Sequence, residues 1–314
     1  MVRAECAKES SPRGHKERQG LEPVQSRNRK MKRIGVVGIG IMGGGIAASL
    51  LRKGFAVSVW NRSPEKCEPL VKSGATLAPD PASIAAESDV VVSVLRDDQV
   101  VREVVLEQML PHAKPGTTFI DMSTVTPAMS RNLAQAARLR GCEFLDAPVM
   151  GSKEAAENGQ LTILVGGAAA TLEAQQDVLS AMGQKIVHVG PNGSSAFLKL
   201  GCNQFVAGII ASVGEGLALA KKGGVDRQTA VDVLMGTMAR VAVLKHPKIA
   251  DKDWATHFAL DLMFKDLVQA QQAADEAHVT MPILAAVTDT FERVRRQGVG
   301  ELDFSVVADP EGAA

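Results

Sequence analysis

Apolar residues arrive along the first half of the chain in short unbroken runs, separated by glycine-rich turns and by stretches of helical period. Arg33–Val37, Ala56–Trp60 and Thr118–Asp121 read as strands, as do residues 90–94, 143–147, 161–165 and 185–189. Between them, residues 42–53 read as a helix ended by Gly54, a good residue for the left-handed turn after a helix. Ser63-Pro64 supplies a cap and a first helical position for a short helix reaching Gly74. Residues 127–140 form a further helix, for which Thr126 is well placed as the cap, and another lies near 169–181. Strands alternating with helices of this length predict a parallel, doubly wound sheet. After Gly190-Pro191-Asn192-Gly193 the strand signal stops. Ser194–Lys222 reads as one long helix, and the remainder is helical apart from short turns.

The expected class is therefore α/β, with an N-terminal doubly wound domain over residues 31–191 and an all-α C-terminal domain over 192–314. Residues 1–30 have neither apolar periodicity nor the apolar core of a secretory signal. Their four Glu also argue against an organelle transit peptide, so a disordered leader ahead of Met31 is expected, dispensable for stability and activity.

Composition narrows the class. The 314 residues are 46% hydrophobic and carry 35 basic and 35 acidic groups, so no global charge draws the chain to nucleic acid or an acidic membrane. The zero hides an asymmetry. Residues 1–30 hold eight Lys/Arg and four Glu, which leaves 27 basic and 31 acidic groups for the rest. Aromatics are 4%, with no tyrosine, too few for base-stacking platforms. Cys6, Cys67, Cys142 and Cys202 form no close pair and read as isolated thiols in a reducing, cytoplasmic compartment. No unbroken apolar run is long enough to span a membrane; the best, 205–220, is interrupted by Glu215. The six histidines form no metal-binding pair, and no nucleophile elbow is present, so neither a metal site nor a Ser-His-Asp hydrolase is expected.

Gly38-Ile39-Gly40-Ile41-Met42-Gly43 matches G-x-G-x-x-G, directly after an apolar strand and opening a helix. That context is the one a dinucleotide-binding (Rossmann) turn requires. Gly38 permits the tight turn, Gly40 lets backbone approach a pyrophosphate, and Gly43 allows close packing of helix on sheet. At the end of the second strand, where an NAD site usually carries an acid, stands Asn61-Arg62-Ser63. An arginine fork there suits a 2′-phosphate and favours NADP(H), with NAD(H) the alternative; Arg62 could equally be an ordinary surface arginine.

Four ordered stretches resemble the β-hydroxyacid dehydrogenase family, which includes 3-hydroxyisobutyrate dehydrogenase, tartronate semialdehyde reductase and glyoxylate/succinic semialdehyde reductase. They are GIGIMGGGIAASL at 38–50, DMSTVTP at 121–127, DAPVMGSKEAAENGQLTILVGG at 146–167 and GSSAFLKLGCNQF at 193–205. A weaker fifth is FKDL at 264–267. The resemblance implies that Ser123 helps hold a substrate carboxylate and that Thr124, Leu95 and Arg96 lie against the cofactor. It implies that Gly151 and Ser152 donate to substrate, that Lys199 is the catalytic lysine with Asn203 its partner, and that Lys265 lies near the cofactor. Two departures stand out: Met150 where the family commonly has Ser, and Arg96 where it has Pro. Gly151-Ser152-Lys153, Asp303-Phe304-Ser305 and Asn61-Arg62 look most like the semialdehyde reductase branch.

The residues support this chemistry independently. Lys199 and Asn203 are four apart on a predicted helix and share a face among Phe197, Leu198, Leu200 and Phe205. A lysine in an apolar cleft has a lowered pKa and can serve proton transfer, although spacing alone equally permits a snorkelling surface lysine. Ser123 falls at the carboxyl end of a strand, where open α/β sheets bind ligands. Lys265 beside Asp266 reads either as a functional lysine or as a solvated charge pair. The leading expectation is NADP(H)-dependent interconversion of a short carboxylated aldehyde and its hydroxy acid by a homodimer or homotetramer. The alternatives are a non-catalytic dinucleotide-binding scaffold and a reductase of an imine or larger ketone.

Overall fold

A computed structural model of the chain describes residues 32–309. The expectation for residues 1–30 lies outside them. The first part alternates strand and helix: β1 (Arg33–Val37), α1 (Ile41–Arg52), β2 (Ala56–Trp60), α2 (Glu68–Lys72), β3 (Thr76–Leu77), α3 (Pro81–Glu87) and β4 (Val90–Ser93). Next come α4 (Asp98–Val101), β5 (Thr118–Asp121), α5 (Pro127–Leu139), β6 (Glu143–Asp146), β7 (Val149–Met150) and α6 (Lys153–Glu157). The sheet closes with β8 (Leu161–Gly166), α7 (Ala169–Ala174), α8 (Gln176–Met182) and β9 (Gly183–Gly190). Four helices follow: α9 (Ser194–Lys222), α10 (Arg227–Asp251), α11 (Leu260–Glu276) and α12 (Pro282–Arg295).

The strand order is β3-β2-β1-β4-β5-β6-β8-β7, with β9 beside β8. Central strands read as unbroken apolar runs because both faces are covered. The two-residue side-chain period divides them between two cores. Ile34, Val36, Val90, Val92 and Ile120 enter the core shared with α1 and α8, while Val37, Val91 and Phe119 enter the one closed by α5.

Four details differ from the expectation. The sheet is parallel from β3 to β6 but antiparallel where β8 meets β6 and β7. The helix expected near 169–181 breaks at Gln175, whose side chain turns inward to donate to Thr118 Oγ1 (2.9 Å) and accept from Lys32 (2.9 Å). Residues Arg102–Met109 form a π-helical stretch after α4. Finally, α9 is long and apolar enough, by length and composition, to cross a membrane, where no such run was expected. The unbroken apolar run stops at Glu215. In the structure the Glu215 carboxylate accepts the backbone N–H groups of Ile283 (2.6 Å) and Leu284 (2.9 Å), donors left free at the start of α12.

The helical part has a small core of its own, Leu260, Val294 and Val306, backed by Trp254, Phe291 and Phe304. Within it Lys245 on α10 and Asp303 form a buried ion pair (2.8 Å). Asp303 also accepts from Ser305 Oγ (2.6 Å) and from the backbone N–H groups of His257 (3.0 Å) and Phe258 (3.1 Å). The Lys245 ammonium lies 4.2 Å from the centre of the Phe304 ring. The chain after α12 is thereby latched to α10. By contrast α9 buries only Ser195 and Ala196, and leaves Phe197, Phe205 and Ile210 more than 60% exposed.

Candidate active site

Because β2, β1, β4, β5 and β6 are mutually parallel, the loops that follow them leave from one edge of the sheet. The chain runs outward from β1 to β3 and then returns to β4, so the order reverses between β1 and β4. Open α/β sheets bind ligands in the crevice at such a point. Gly38 sits there with φ +93°, and a Cβ on it would collide with the Val94 carbonyl. A Cβ on Gly43 would collide with the Gly38 carbonyl. Gly40, in contrast, faces open space and caps α1 without any side-chain hydrogen bond. The free N–H groups of the first helical turn, with no acid among them, suit the pyrophosphate of a dinucleotide.

A groove of about 440 Å³ continues from Gly38 and Gly40 past Trp60, Asn61, Arg62 and Ser63, and is lined also by Leu95 and Arg96. Asn61 braces the glycine turn: its Oδ1 accepts the Ile39 N–H (3.0 Å) and its Nδ2 donates to the Ser63 carbonyl (3.0 Å). Arg62 is exposed and free of any ion pair among the described residues. Arg96 is exposed and pairs with Asp97 (2.7 Å). Ile41 is exposed at the turn, and Met42 packs partly against the core. Lys66, which sequence reasoning missed, lines the same groove, as do Glu103 and Gln108 of the π-helical stretch. The available signal for Lys66 was a second cation four residues beyond Arg62.

At the end of β5, Ser123 is buried. Its hydroxyl donates to Asp121 Oδ1 (2.6 Å) and accepts the Leu95 N–H (2.9 Å), so it ties the substrate-side loop to the Leu95 loop. Its proton is already committed to Asp121. Burial pushes the Asp121 carboxyl above its ordinary value, against the pull of Ser123 and Ser93. Thr124, next along, is exposed. Gly151 turns with φ +147°, and Ser152 caps α6 by accepting the Ala155 N–H (3.3 Å).

Lys199 lies on the second turn of α9, partly buried, with its Nζ donating to Met150 Sδ (3.4 Å). Burial lowers its pKa, with Cys202 opposing more weakly. Such an ammonium gives up a proton more readily than a solvated one and can serve as an acid or, once neutral, as a base. Not every expected residue joins it. Asn203 is exposed and, among the described residues, makes no hydrogen bond to Lys199. Lys265 is exposed and pairs with Asp266 (2.9 Å), and it is not among the residues that line the groove.

Residues 33–190 match the family model described as the NAD binding domain of 6-phosphogluconate dehydrogenase. Residues 193–310 match the one described as NAD-binding of NADP-dependent 3-hydroxyisobutyrate dehydrogenase. The chain is 34% identical over 280 residues to glyoxylate/succinic semialdehyde reductase 1 of Arabidopsis thaliana, covering 88% of this chain and 97% of that one. It is 33% identical over 288 residues to the NAD-dependent L-serine dehydrogenase of Pseudomonas aeruginosa, with the same coverage. Among solved structures, the reductive aminase from Aspergillus terreus in complex with NADPH and ethyl levulinate superposes with a TM-score of 0.76 at 26% identity, covering 89% of this chain and 99% of that one. With the glycine turn, the groove and the lysine in place, the chain belongs to the 3-hydroxyisobutyrate dehydrogenase-like β-hydroxyacid dehydrogenase family and is an NAD(P)-dependent oxidoreductase acting on CH-OH groups.

Proposed function

We propose that this chain is an NADPH-preferring reductase of short carboxylated aldehydes, with glyoxylate, succinic semialdehyde and methylmalonate semialdehyde as the candidate substrates and Lys199 as the proton donor. The observation that carries the reading is the half-buried Lys199 ammonium, which α9 sets against Met150 at the end of β7, where the chain runs on past the carboxyl end of β6. The bound cofactor would supply a hydride to the carbonyl carbon. Lys199 gives its proton to the carbonyl oxygen as negative charge develops there, and in the reverse direction the neutral amine takes the hydroxyl proton. Gly38, Gly40 and the first turn of α1 would hold the pyrophosphate, and the Asn61 side chain braces that turn. Ser123 would contact a substrate carboxylate only by releasing Asp121, so in the resting site it works as the anchor of the Leu95 loop.

The NADPH preference rests on Arg62 and Lys66, two cations that line the groove, with no acid at the end of β2 to hold a ribose hydroxyl. Bonds to charged groups of this kind contribute about 1.5–3 kcal/mol. Arg62→Asp should therefore lower the ratio of kcat/KM for NADPH to that for NADH by at least about tenfold. Equal kcat/KM for the two cofactors in the unaltered protein would count against the preference.

One contact favours a second reading. The thioether of Met150 lies against Lys199, and gives a less polar wall beside the reacting atoms, as an imine or larger ketone would need. Parallel assays with aldehyde acids and cyclic imines separate the two. A scaffold without catalysis would bind NADPH and consume none.

Self-association belongs to the same reading. A 29-residue helix that buries two residues and exposes Phe197, Phe205, Val206 and Ile210 leaves more apolar surface in water than a monomer usually carries. A dimer or tetramer formed across α9 would cover it. Light scattering at micromolar concentration should give a mass at least twice that of the chain, and a clean monomer would refute this.

A further inference from the structure

We propose that Asp146 is a positioning residue that clamps the first turn of α9 and so sets Lys199 against the Met150 loop. The inference rests on Lys199 being the proton donor. Asp146 ends β6 and is about 1% exposed. Its Oδ1 accepts Asn192 Nδ2 (2.9 Å), and its Oδ2 accepts the Gly193 N–H (3.0 Å) and the Ser195 hydroxyl. Ser195 Oγ also lies 3.1 Å from the Asp146 carbonyl oxygen. Asn192 Nδ2 reaches the carbonyls of Phe144 (3.3 Å) and Gly166 (3.2 Å) as well, so the link from β9 to α9 is fixed to two strands at once.

The clamp has no slack. A Cβ on Gly166 would collide with the Asp146 carboxylate, so β8 closes one side of it. Gly193 holds φ +92° at the cap of α9, a left-handed turn in which other residues are strained. Ser195 is fully buried and precedes Lys199 by four residues, one helical turn on the same face. In the other direction β6 continues through Ala147-Pro148 into β7, which ends at Met150, 3.4 Å from Lys199 Nζ. One carboxylate therefore anchors both segments that meet at the lysine. Asp121, its neighbour in register on β5, bonds to Ser93 and Ser123 and not to α9.

Small misplacements of a catalytic group are costly: about 1 Å can lose a hundredfold in rate. The test compares Asp146→Asn and Ser195→Ala with Lys199→Ala in the full chain. Its readouts are NADPH affinity, kcat, KM, the pH dependence of kcat and the melting temperature. Ser195→Ala removes one arm of the clamp and leaves a small side chain in place, should Asp146→Asn fold poorly. In Ser195→Ala, kcat for reduction is expected to fall about ten- to a hundredfold with NADPH affinity and KM unchanged. Its alkaline limb should move to higher pH as the lysine swings toward water. A purely structural role would lower the melting temperature without moving that limb. Unchanged kcat and pH dependence in Ser195→Ala, with Lys199→Ala inactive, would overturn the clamp. An active Lys199→Ala would instead overturn the reading beneath it.

Discussion

Lys199→Ala is expected to lower kcat for aldehyde reduction by about 10²–10⁴-fold, the range over which positioned acid–base groups act. NADPH affinity should stay close to that of the unaltered protein, because the glycine turn, Asn61, Arg62 and Lys66 lie on other elements. Lys199→Arg should not restore activity, since a guanidinium does not release its proton in this range. The pH dependence has a definite sign. Reduction needs the protonated amine and is lost as pH rises through the lowered Lys199 pKa; oxidation of the hydroxy acid needs the neutral amine and is lost as pH falls through it. Steady-state kinetics in both directions read this directly. Loss of NADPH binding in Lys199→Ala would show that the lysine serves the cofactor instead.

The second large effect concerns stability. Asp303→Ala is expected to cost about 3–5 kcal/mol, the usual consequence of removing one partner from a buried ion pair. The variant strands the Lys245 ammonium in a pocket closed by Phe304, and removes the acceptor of the His257, Phe258 and Ser305 donors. Burial alone would raise the Asp303 pKa. The bonds from Lys245, Ser305 and the His257 backbone overcome that and hold it far below the ordinary carboxylate range. A carboxyl whose pKa is lower folded than unfolded stabilises the fold fully above its unfolded value, about 3.9. That contribution is lost as pH falls below this value toward the folded one. Urea unfolding of Asp303→Ala against the unaltered protein, repeated at neutral and acidic pH, should show a difference that shrinks in acid. Equal midpoints at neutral pH would remove Asp303 from the list of anchors.

The strands of the first part were legible because a strand covered on both faces is an unbroken apolar run, and β1, β2 and β5 have the bounds that pattern gives. β3 and β7 were not, because each is two residues long and carries no period. The glycine turn was legible because its chemistry is confined to six consecutive residues. The anchors were not. Asp146 meets Asn192, Gly193 and Ser195 across 46 to 49 residues, and Lys245 meets Asp303 across 58. An aspartate closing an apolar strand carries no local mark of partners so distant. The same limit explains α9: Glu215 looked like an interruption because its use, capping α12, lies 68 residues away.

Consumption of NADPH by the full chain is the most direct test of the proposed activity. It should be measured with glyoxylate, succinic semialdehyde, methylmalonate semialdehyde and a cyclic imine, for the unaltered protein and Lys199→Ala side by side. Saturable turnover of at least one aldehyde acid, faster than the imine and lowered at least about a hundredfold in Lys199→Ala, is the expected result. NADPH bound but no aldehyde acid reduced, or an imine reduced faster than all of them, would contradict it.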